Sequence, residues 1–192
     1  MNRIITRLIK KANKLTEEQE KFIQECKESR KFNDDQMEEI RKGFKYRLTM
    51  EQVKLYADPK FDHNQMNLIR IGFMNGSTME QVKFYANPKF DYMQMGEIEF
   101  GFKSGLTMEQ IKVYANPEFD WHQMDEIIFG FRDGLTMEQV KLYADPKLDR
   151  VQMDAIKEYL KIGFPIDKIK EKYNLANRRN RLNRIAKRSI KK

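Results

Sequence analysis

A block of 29 residues follows itself five times along this 192-residue chain, and no other feature constrains the fold as strongly. The second block reads FDHNQMNLIRIGFMNGSTMEQVKFYANPK and runs from Phe61 to Lys89. Related blocks begin at Phe32, Phe90, Phe119 and Leu148. A fixed period of this length is typical of stacked supersecondary units, none of which can bury its apolar face alone. Such arrays usually bind a macromolecule along an extended surface, which makes a binding role the first expectation.

Each block carries the start and stop signals of two helices. In the second block Asp62 and Thr78 are each followed three residues later by a glutamine, which is the spacing of a capping box. Gly76 lies where a left-handed residue ends the first helix, and Pro88 prevents the second helix from continuing. Each block therefore predicts a helical hairpin, with a first helix of ~13 residues and a second of ~8 residues. Stacked hairpins of this kind form an all-α fold, the α-solenoid.

Glycine also recurs inside the predicted first helix of four blocks, at Gly43, Gly72, Gly101 and Gly130. A glycine in a helix interior costs about 1 kcal/mol relative to alanine, so its recurrence indicates a recurring reason. We expect the backbone of a neighbouring helix to approach closely at these positions.

Both ends of the chain depart from the repeat, as terminal units of an array do. Residues 1–31 are predicted to form a basic N-terminal cap of two helices, and residues 32–160 hold the repeats. Residues 161–192 hold a degenerate last half-repeat and a basic C-terminal helix. In the fifth block Tyr159 replaces the mid-helix glycine, and Pro165 replaces the threonine that caps the second helix.

The net charge of +8 is spread unevenly along the chain. Residues 1–31 hold 9 Lys+Arg against 5 Asp+Glu, residues 32–160 hold 16 against 22, and residues 161–192 hold 12 against 2. Basic ends on a mildly acidic array indicate end-specific contact with an anion, most often nucleic acid. A solvated basic tail that only keeps the protein soluble would give the same composition.

Composition also bears on the compartment. Cys26 is the only cysteine, which excludes an internal disulfide and fits a reducing cytoplasm. The longest apolar runs are too short to cross a bilayer, and the N-terminus lacks the apolar region of a secretory signal. We therefore expect a cytoplasmic protein without membrane contact.

Sequence variation among the blocks concentrates in the first helix, and we expect the varying positions to bind a protein partner. Large apolar residues occupy these positions mainly in the third and fourth blocks, and aromatic residues on a polar-rimmed surface are typical of a binding hot spot. An alternative is that Ile71, Phe100 and Phe129 pack between neighbouring repeats. The predicted partner-binding residues are Tyr92, Met93, Phe100, Trp121, His122, Ile128 and Phe129.

Residues 165–185 read PIDKIKEKYNLANRRNRLNRI and resemble a helix-turn-helix of bacterial regulators over about twenty residues. Lys170 stands where that family usually has a small residue, and Asn174 where it often has glycine. The resemblance implies a second helix that contacts nucleic acid; non-specific phosphate contact and a basic capping helix without such a role are the alternatives. The predicted nucleic-acid-binding residues are Arg178, Arg179, Arg181, Arg184, Lys187 and Arg188.

The repeat itself is similar to uncharacterised helical-repeat proteins of low-GC bacteria and their phages and mobile elements, through strings such as QMEEIR, YADPKFD and GLT. The likeness covers about residues 32–160 and implies a bacterial or mobile-element origin. Some small proteins of such elements inhibit host defence complexes by binding them, which makes an inhibitor role an expectation of this resemblance. The string LTMEQVKLYA also resembles the LTPEQV opening of TAL-effector repeats, although the period differs and the base-reading loop is missing.

The sequence contains no arrangement of residues typical of catalysis or of a cofactor or metal site. His63 and His122 are the only histidines and occupy different positions of the repeat. There is no Gly-rich phosphate loop and no nucleophile elbow. We therefore expect a binding protein that is not an enzyme and takes no cofactor, metal or small-molecule substrate. Two functions stay open: docking of a protein or nucleoprotein partner, and nucleic-acid binding through the C-terminal helices.

Overall fold

The computed structural model describes residues 14–173, and every regular element in that range is a helix. We number the helices in chain order from α1 to α11. Their bounds are α1 Glu17–Glu28, α2 Asp34–Lys45, α3 Met50–Tyr56, α4 His63–Met74, α5 Met79–Tyr85, α6 Tyr92–Lys103, α7 Met108–Tyr114, α8 Trp121–Arg132, α9 Met137–Tyr143, α10 Arg150–Lys161 and α11 Ile166–Lys172.

From α2 onward, first helices of 12 residues alternate with second helices of 7 residues. The five blocks thus form five helical hairpins, which we number one to five, and the predicted all-α repeat fold is confirmed. Each helix is one residue shorter than expected. The segment before residue 14, where one capping helix was predicted, and the basic segment after residue 173 lie outside the described residues.

The chain divides into two compact units, residues 1–100 and residues 101–192, and the division falls inside α6. In the first unit α1 packs on α2, and α4 packs on α2, α3 and α5. In the second unit α8 packs on α7, α9 and α10, and α10 packs on α9 and α11. Within each unit, first helices therefore lie against the first helix of the next hairpin, as they do in an α-solenoid.

The core of each hairpin is an apolar stripe at spacings of three and four residues along its first helix, together with apolar residues of its second helix. In hairpin two Met66 and Ile69 are fully buried and Phe73 is 5% exposed, and Val82 and Tyr85 of the second helix are fully buried. The equivalent methionines of the other hairpins are buried as well, which confirms that they fill the core. Burial of these side chains stabilises each hairpin by roughly 1.5–3 kcal/mol per large apolar residue.

The capping boxes form as predicted, and three first-helix glutamines, Gln36, Gln65 and Gln123, have a second role that the sequence did not reveal. The backbone N–H of Gln65 donates to Asp62 Oδ1 at 2.9 Å, and the backbone N–H of Asp62 donates to Gln65 Oε1 at 2.8 Å. Gln65 Nε2 also donates to the carbonyl oxygen of Phe90 in the next hairpin at 2.6 Å. One buried side chain therefore both caps its own helix and links two hairpins.

The mid-helix glycines make room for a buried tyrosine. A Cβ atom added at Gly130 would overlap the hydroxyl oxygen of Tyr143, which lies on the second helix of the same hairpin. Tyr143 is fully buried, and its hydroxyl donates to the carbonyl oxygen of Glu126 at 3.2 Å. The expected approach of a helix backbone is thus wrong, because the close neighbour is a side chain. The same clash would occur at Gly43 with Tyr56, Gly72 with Tyr85 and Gly101 with Tyr114.

Hairpin five replaces both members of this glycine–tyrosine pair. Tyr159 stands at the glycine position and Lys172 at the tyrosine position. Lys172 Nζ donates to the Tyr159 hydroxyl at 2.7 Å and lies 4.6 Å from the centroid of its ring. Pro165 precedes α11 without a side-chain cap, as predicted for a degenerate last repeat.

Candidate partner-binding surface

Four of the seven predicted partner-binding residues expose large apolar side chains. Tyr92 and Met93 are each 41% exposed, Phe100 is 39% exposed and Phe129 is 37% exposed. Trp121 and His122 are half-buried. These six residues fall into two groups on two first helices, one in each unit.

The first group, the α6 patch, consists of Tyr92, Met93 and Phe100 and lies in the first unit. Met93 and Phe100 are seven residues apart, which is close to two helical turns, so they project from the same side of α6. Gly96 lies between them on that side and adds no side chain, while Leu68 of hairpin two packs near it. The patch is therefore an apolar strip along the helix, with Tyr92 in its first turn.

The second group, the α8 patch, consists of Trp121, His122 and Phe129 and lies in the second unit. The rings of Trp121 and His122 are stacked, with centroids 3.5 Å apart and planes at 28°. The Arg132 guanidinium lies 5.6 Å from the centroid of the Phe129 ring, and the Lys157 ammonium lies 5.7 Å from it. Cations at these distances are attracted by the ring face, so Phe129 is held while remaining accessible.

Ile128, the seventh predicted residue, is fully buried, so its assignment to the binding surface is wrong. Its position in the repeat varies among the blocks, which suggested a surface location. Arg70, Glu99 and Lys157 occupy the equivalent position and are also buried, at 6, 7 and 6% exposure. Arg41 at the equivalent position of hairpin one is exposed, so this position is buried in four of the five hairpins and its variation did not indicate a surface location.

The alternative reading, in which these side chains pack between repeats, holds only in part. Ile71 is half-buried, whereas Phe100 and Phe129 each leave more than a third of the side chain open to solvent. All three occupy the same position of the first helix. Partial burial at this position anchors the rings without removing them from the surface.

Two of the buried variable residues form ion pairs with the preceding hairpin. Arg70 Nε donates to Glu39 Oε2 at 2.9 Å, and both side chains are 8% exposed. Lys157 Nζ donates to Glu126 Oε2 at 2.6 Å, with side chains 8% and 4% exposed. In both pairs the acid lies at the same position of one first helix and the base at the same position of the next. Removing one partner would take away the most buried counter-charge of the other, so the two residues of each pair depend on each other.

The Glu126 carboxylate is the centre of a larger cluster beneath the α8 patch. Arg150 Nε donates to Glu126 Oε1 at 3.0 Å, and Lys157 Nζ also contacts Asp154 Oδ1 at 3.0 Å. Burial alone would lower the pKa of Lys157, but its hydrogen bonds to Glu126 and Asp154 outweigh that effect and raise it. Burial raises the pKa of Asp125, and the neighbouring Glu126 carboxylate raises it further. The cluster therefore holds Lys157 charged under the face that carries Phe129.

Sequence reasoning missed a third exposed apolar group, which consists of two residues. Tyr46 is 48% exposed and Met74 is 45% exposed, at the ends of the first helices of hairpins one and two. The Arg70 guanidinium lies 5.1 Å from the Tyr46 ring centroid, and Arg70 Nη1 donates to Met74 Sδ at 3.1 Å. Met74 stands at a position that is lysine or arginine in the other four blocks, and that exception was the available signal.

The other kinds of site have less support in the described residues. Among residues 14–173 no three His, Cys, Asp or Glu side chains group as metal ligands would, and no helix is long and apolar enough to cross a membrane. A groove of about 430 Å³ between α1 and α2 has Leu15 and Ile23 beside the basic Arg41 and Lys45. All six predicted nucleic-acid-binding residues, Arg178, Arg179, Arg181, Arg184, Lys187 and Arg188, lie outside the described residues.

Comparison with known proteins adds no assignment to this geometry. No protein-family model matches the chain, and no curated protein or solved structure is significantly similar to it.

Proposed function

We propose that this chain is a non-enzymatic binding protein that docks a protein or nucleoprotein partner through the α6 and α8 patches. The observation that carries the proposal is the exposure of Tyr92, Met93, Phe100 and Phe129 on first helices, in hairpins whose other large apolar side chains are mostly buried. Exposed aromatic and methionine side chains grouped on one helix face are typical of surfaces that a partner covers.

The energetics favour this use of the surface. Burying an exposed aromatic side chain against a partner removes its apolar area from water, and truncation of such an anchor typically costs about 2 kcal/mol or more of binding free energy. The rings project from helices held by capping boxes, buried tyrosines and ion pairs, so little conformational entropy remains to be lost on binding. A stacked-hairpin scaffold thus presents anchors that are already ordered.

The class of partner is proposed from the likeness of the repeats to those of phage and mobile-element proteins. A host defence complex, which is often a nucleoprotein, is the partner class that this likeness supports, and the chain would then act as its inhibitor. The single cysteine supports a cytoplasmic setting for such an encounter.

The test is a comparative affinity purification from the native host. Tagged wild type is compared with a patch variant that carries Tyr92→Ala, Phe100→Ala and Phe129→Ala. The matched control is Ile162→Ala, which removes an equally apolar side chain that is 75% exposed but lies outside both patches. A protein recovered with the wild type and the control but depleted at least tenfold with the patch variant supports the proposal. Equal recovery in all three rejects it.

Nucleic-acid binding through the C-terminal segment is the second candidate, favoured by the 12 Lys+Arg against 2 Asp+Glu of residues 161–192. Phosphate contacts by these residues would release counterions, so affinity for DNA or RNA would fall steeply with salt. The test measures binding to a duplex DNA and to a single-stranded RNA at two salt concentrations, for the full chain and for a variant ending at residue 175. Salt-dependent binding lost in the shortened chain supports this candidate, and equal binding by both removes it.

A further inference from the structure

We infer that Arg70 and Lys157 are positioning residues, each of which reaches back from one hairpin to orient an exposed aromatic ring of the preceding hairpin. The inference deepens the proposed function through Lys157, because Phe129 belongs to the α8 patch, whereas Tyr46 lies outside both patches. It rests on that function only for its consequence in binding, since the orientation of the rings can be measured in the free protein.

Arg70 shows the arrangement most fully. Its side chain is 8% exposed, yet it contacts four groups: the Glu39 carboxylate through Nε, Met74 Sδ through Nη1, Asn67 Oδ1 through Nη2, and the Tyr46 ring with its guanidinium. Tyr46 and Met74 are nearly half exposed. A planar guanidinium with fixed donors can hold several neighbours at once, which a flexible apolar side chain could not do.

The same arrangement occurs in the second unit, where the base is Lys157 and the ring is Phe129. Lys157 pairs with Glu126 of hairpin four and lies 5.7 Å from the centroid of Phe129 on the same hairpin. In both cases the base belongs to hairpin n+1, while the acid and the exposed ring belong to hairpin n. Two occurrences in two separately compact units make a chance contact a poor explanation.

The acid explains why the base can be buried beneath an exposed ring. A lone cation in this position would be desolvated without compensation, whereas the paired carboxylate keeps it charged and fixes its direction. The ring lies against the cation, with its centroid 5.1 Å from the Arg70 guanidinium in one case and 5.7 Å from the Lys157 ammonium in the other, and the cation attracts the ring face. Stacking of the next hairpin is thereby coupled to the orientation of a ring on the surface.

The test uses the full chain with a single 3-fluorotyrosine at position 46, read by ¹⁹F NMR. The variant is Arg70→Met combined with Glu39→Gln, so that no buried charge is left unpaired and folding is preserved. The matched control is Arg41→Met, which removes the base at the same position of hairpin one, where the side chain is exposed. Arg70→Lys serves as the conservative variant.

The expected result is a ¹⁹F resonance that moves toward that of free fluorotyrosine in the double variant, with unchanged helicity by far-UV circular dichroism. The control should keep the wild-type resonance, and Arg70→Lys should stay closer to wild type than the double variant does. A wild-type resonance in the folded double variant would overturn the inference. If the double variant fails to fold, the same measurement on fluorophenylalanine at position 129 in Glu126→Gln/Lys157→Met, with Lys161→Met as control, decides it.

Failure of this inference and failure of the proposed function are distinguishable. Unchanged partner recovery with the patch variant Tyr92→Ala, Phe100→Ala and Phe129→Ala rejects the α6 and α8 patches as the binding surface and leaves the positioning role intact. A ring that keeps its resonance rejects the positioning role, whatever the affinity purification shows.

Discussion

Hairpins four and five each consist of a 12-residue and a 7-residue helix but differ at three positions that make packing contacts in hairpin four. Hairpin four has Glu126 to receive a base from the next hairpin, Gly130 to admit a tyrosine, and Tyr143 to fill that space. At the equivalent positions hairpin five has Ala155, Tyr159 and Lys172. The acid, which pairs with the next hairpin, and the glycine–tyrosine pair, which packs the two helices of one hairpin together, are thus both absent from hairpin five.

The largest expected effect on the free energy of unfolding comes from removing the Glu126 carboxylate. Glu126→Ala should lower the free energy of unfolding by about 3 kcal/mol, because it leaves the buried Lys157 with only the half-exposed Asp154 as a partner. Ala155→Glu at the equivalent position of hairpin five should change stability by less than ~0.5 kcal/mol, since no hairpin covers it among the described residues. Urea unfolding followed by far-UV circular dichroism and by fluorescence of Trp121 measures both.

A control sharpens that comparison. Glu126→Ala combined with Lys157→Met should recover most of the lost stability, because both buried charges are then removed. A double variant as unstable as the single one would show that Glu126 acts through packing and not through charge.

The glycine position gives the next largest difference. Gly130→Val should destabilise the protein by about 2–3 kcal/mol, because its side chain must displace the buried Tyr143 hydroxyl. Tyr159→Val in hairpin five should cost less than ~1 kcal/mol, since that position is already occupied by a large, half-exposed side chain. Equal losses in the same unfolding measurement would contradict the role assigned to the tyrosine.

Alkaline pH should lower the free energy of unfolding through Tyr143 of hairpin four, whose equivalent in hairpin five is Lys172. Burial raises its pKa above the ordinary value of about 10, so the folded protein keeps a proton that the unfolded chain loses. The contribution of this tyrosine to the free energy of unfolding is therefore fully present below pH ~10. Above that pH it falls by about 1.4 kcal/mol per pH unit. Burial also raises the pKa of Tyr56 and of Tyr85, and both add to the fall of the unfolding free energy with pH.

The measurement is the unfolding free energy at several pH values from 8 to ~11. Tyr143→Phe should reduce the alkaline slope by about 1.4 kcal/mol per pH unit, because the contribution of one buried phenol is removed. An identical slope in wild type and Tyr143→Phe would contradict the burial of the neutral phenol as its cause.

The smallest expected effect concerns the start of the second helix. Thr136 Oγ1 accepts from the backbone N–H of Gln139 at 3.2 Å, so Thr136→Ala should cost about 1 kcal/mol. Pro165, at the same position of hairpin five, caps nothing through its side chain, and Pro165→Ala should change stability by less than ~0.5 kcal/mol. Thermal unfolding resolves the two, and a similar loss in both would show that hairpin five has a cap of its own.

Much of the local structure was readable from the chain. The capping boxes at Asp62 and Thr78, the left-handed Gly76 and the apolar stripe of Met66, Ile69 and Phe73 are properties of short segments. Their spacing alone fixes where helices begin, end and bury a face. A 29-residue period then predicts that the hairpins stack, because one hairpin cannot cover its own apolar side.

The candidate binding surface was only partly predictable. Variation among blocks marks both surface positions and buried positions, and sequence alone does not separate Phe129 from Ile128. One is 37% exposed and the other fully buried, although they are adjacent in the chain. Helical geometry turns neighbouring residues by about 100°, so the difference depends on where the next hairpin lies.

The sequence by itself determined the helices, their caps, the hairpin as the repeating unit and the departure of the last hairpin from the pattern, because these depend on interactions within about thirty residues. Tertiary structure decided which side chains face each other between hairpins. The pairing of Glu39 with Arg70 and of Glu126 with Lys157, and the placing of the bases beneath exposed rings, follow from the packing of one first helix on the next. That packing is a property of the folded stack, since only there do residues 31 positions apart become neighbours.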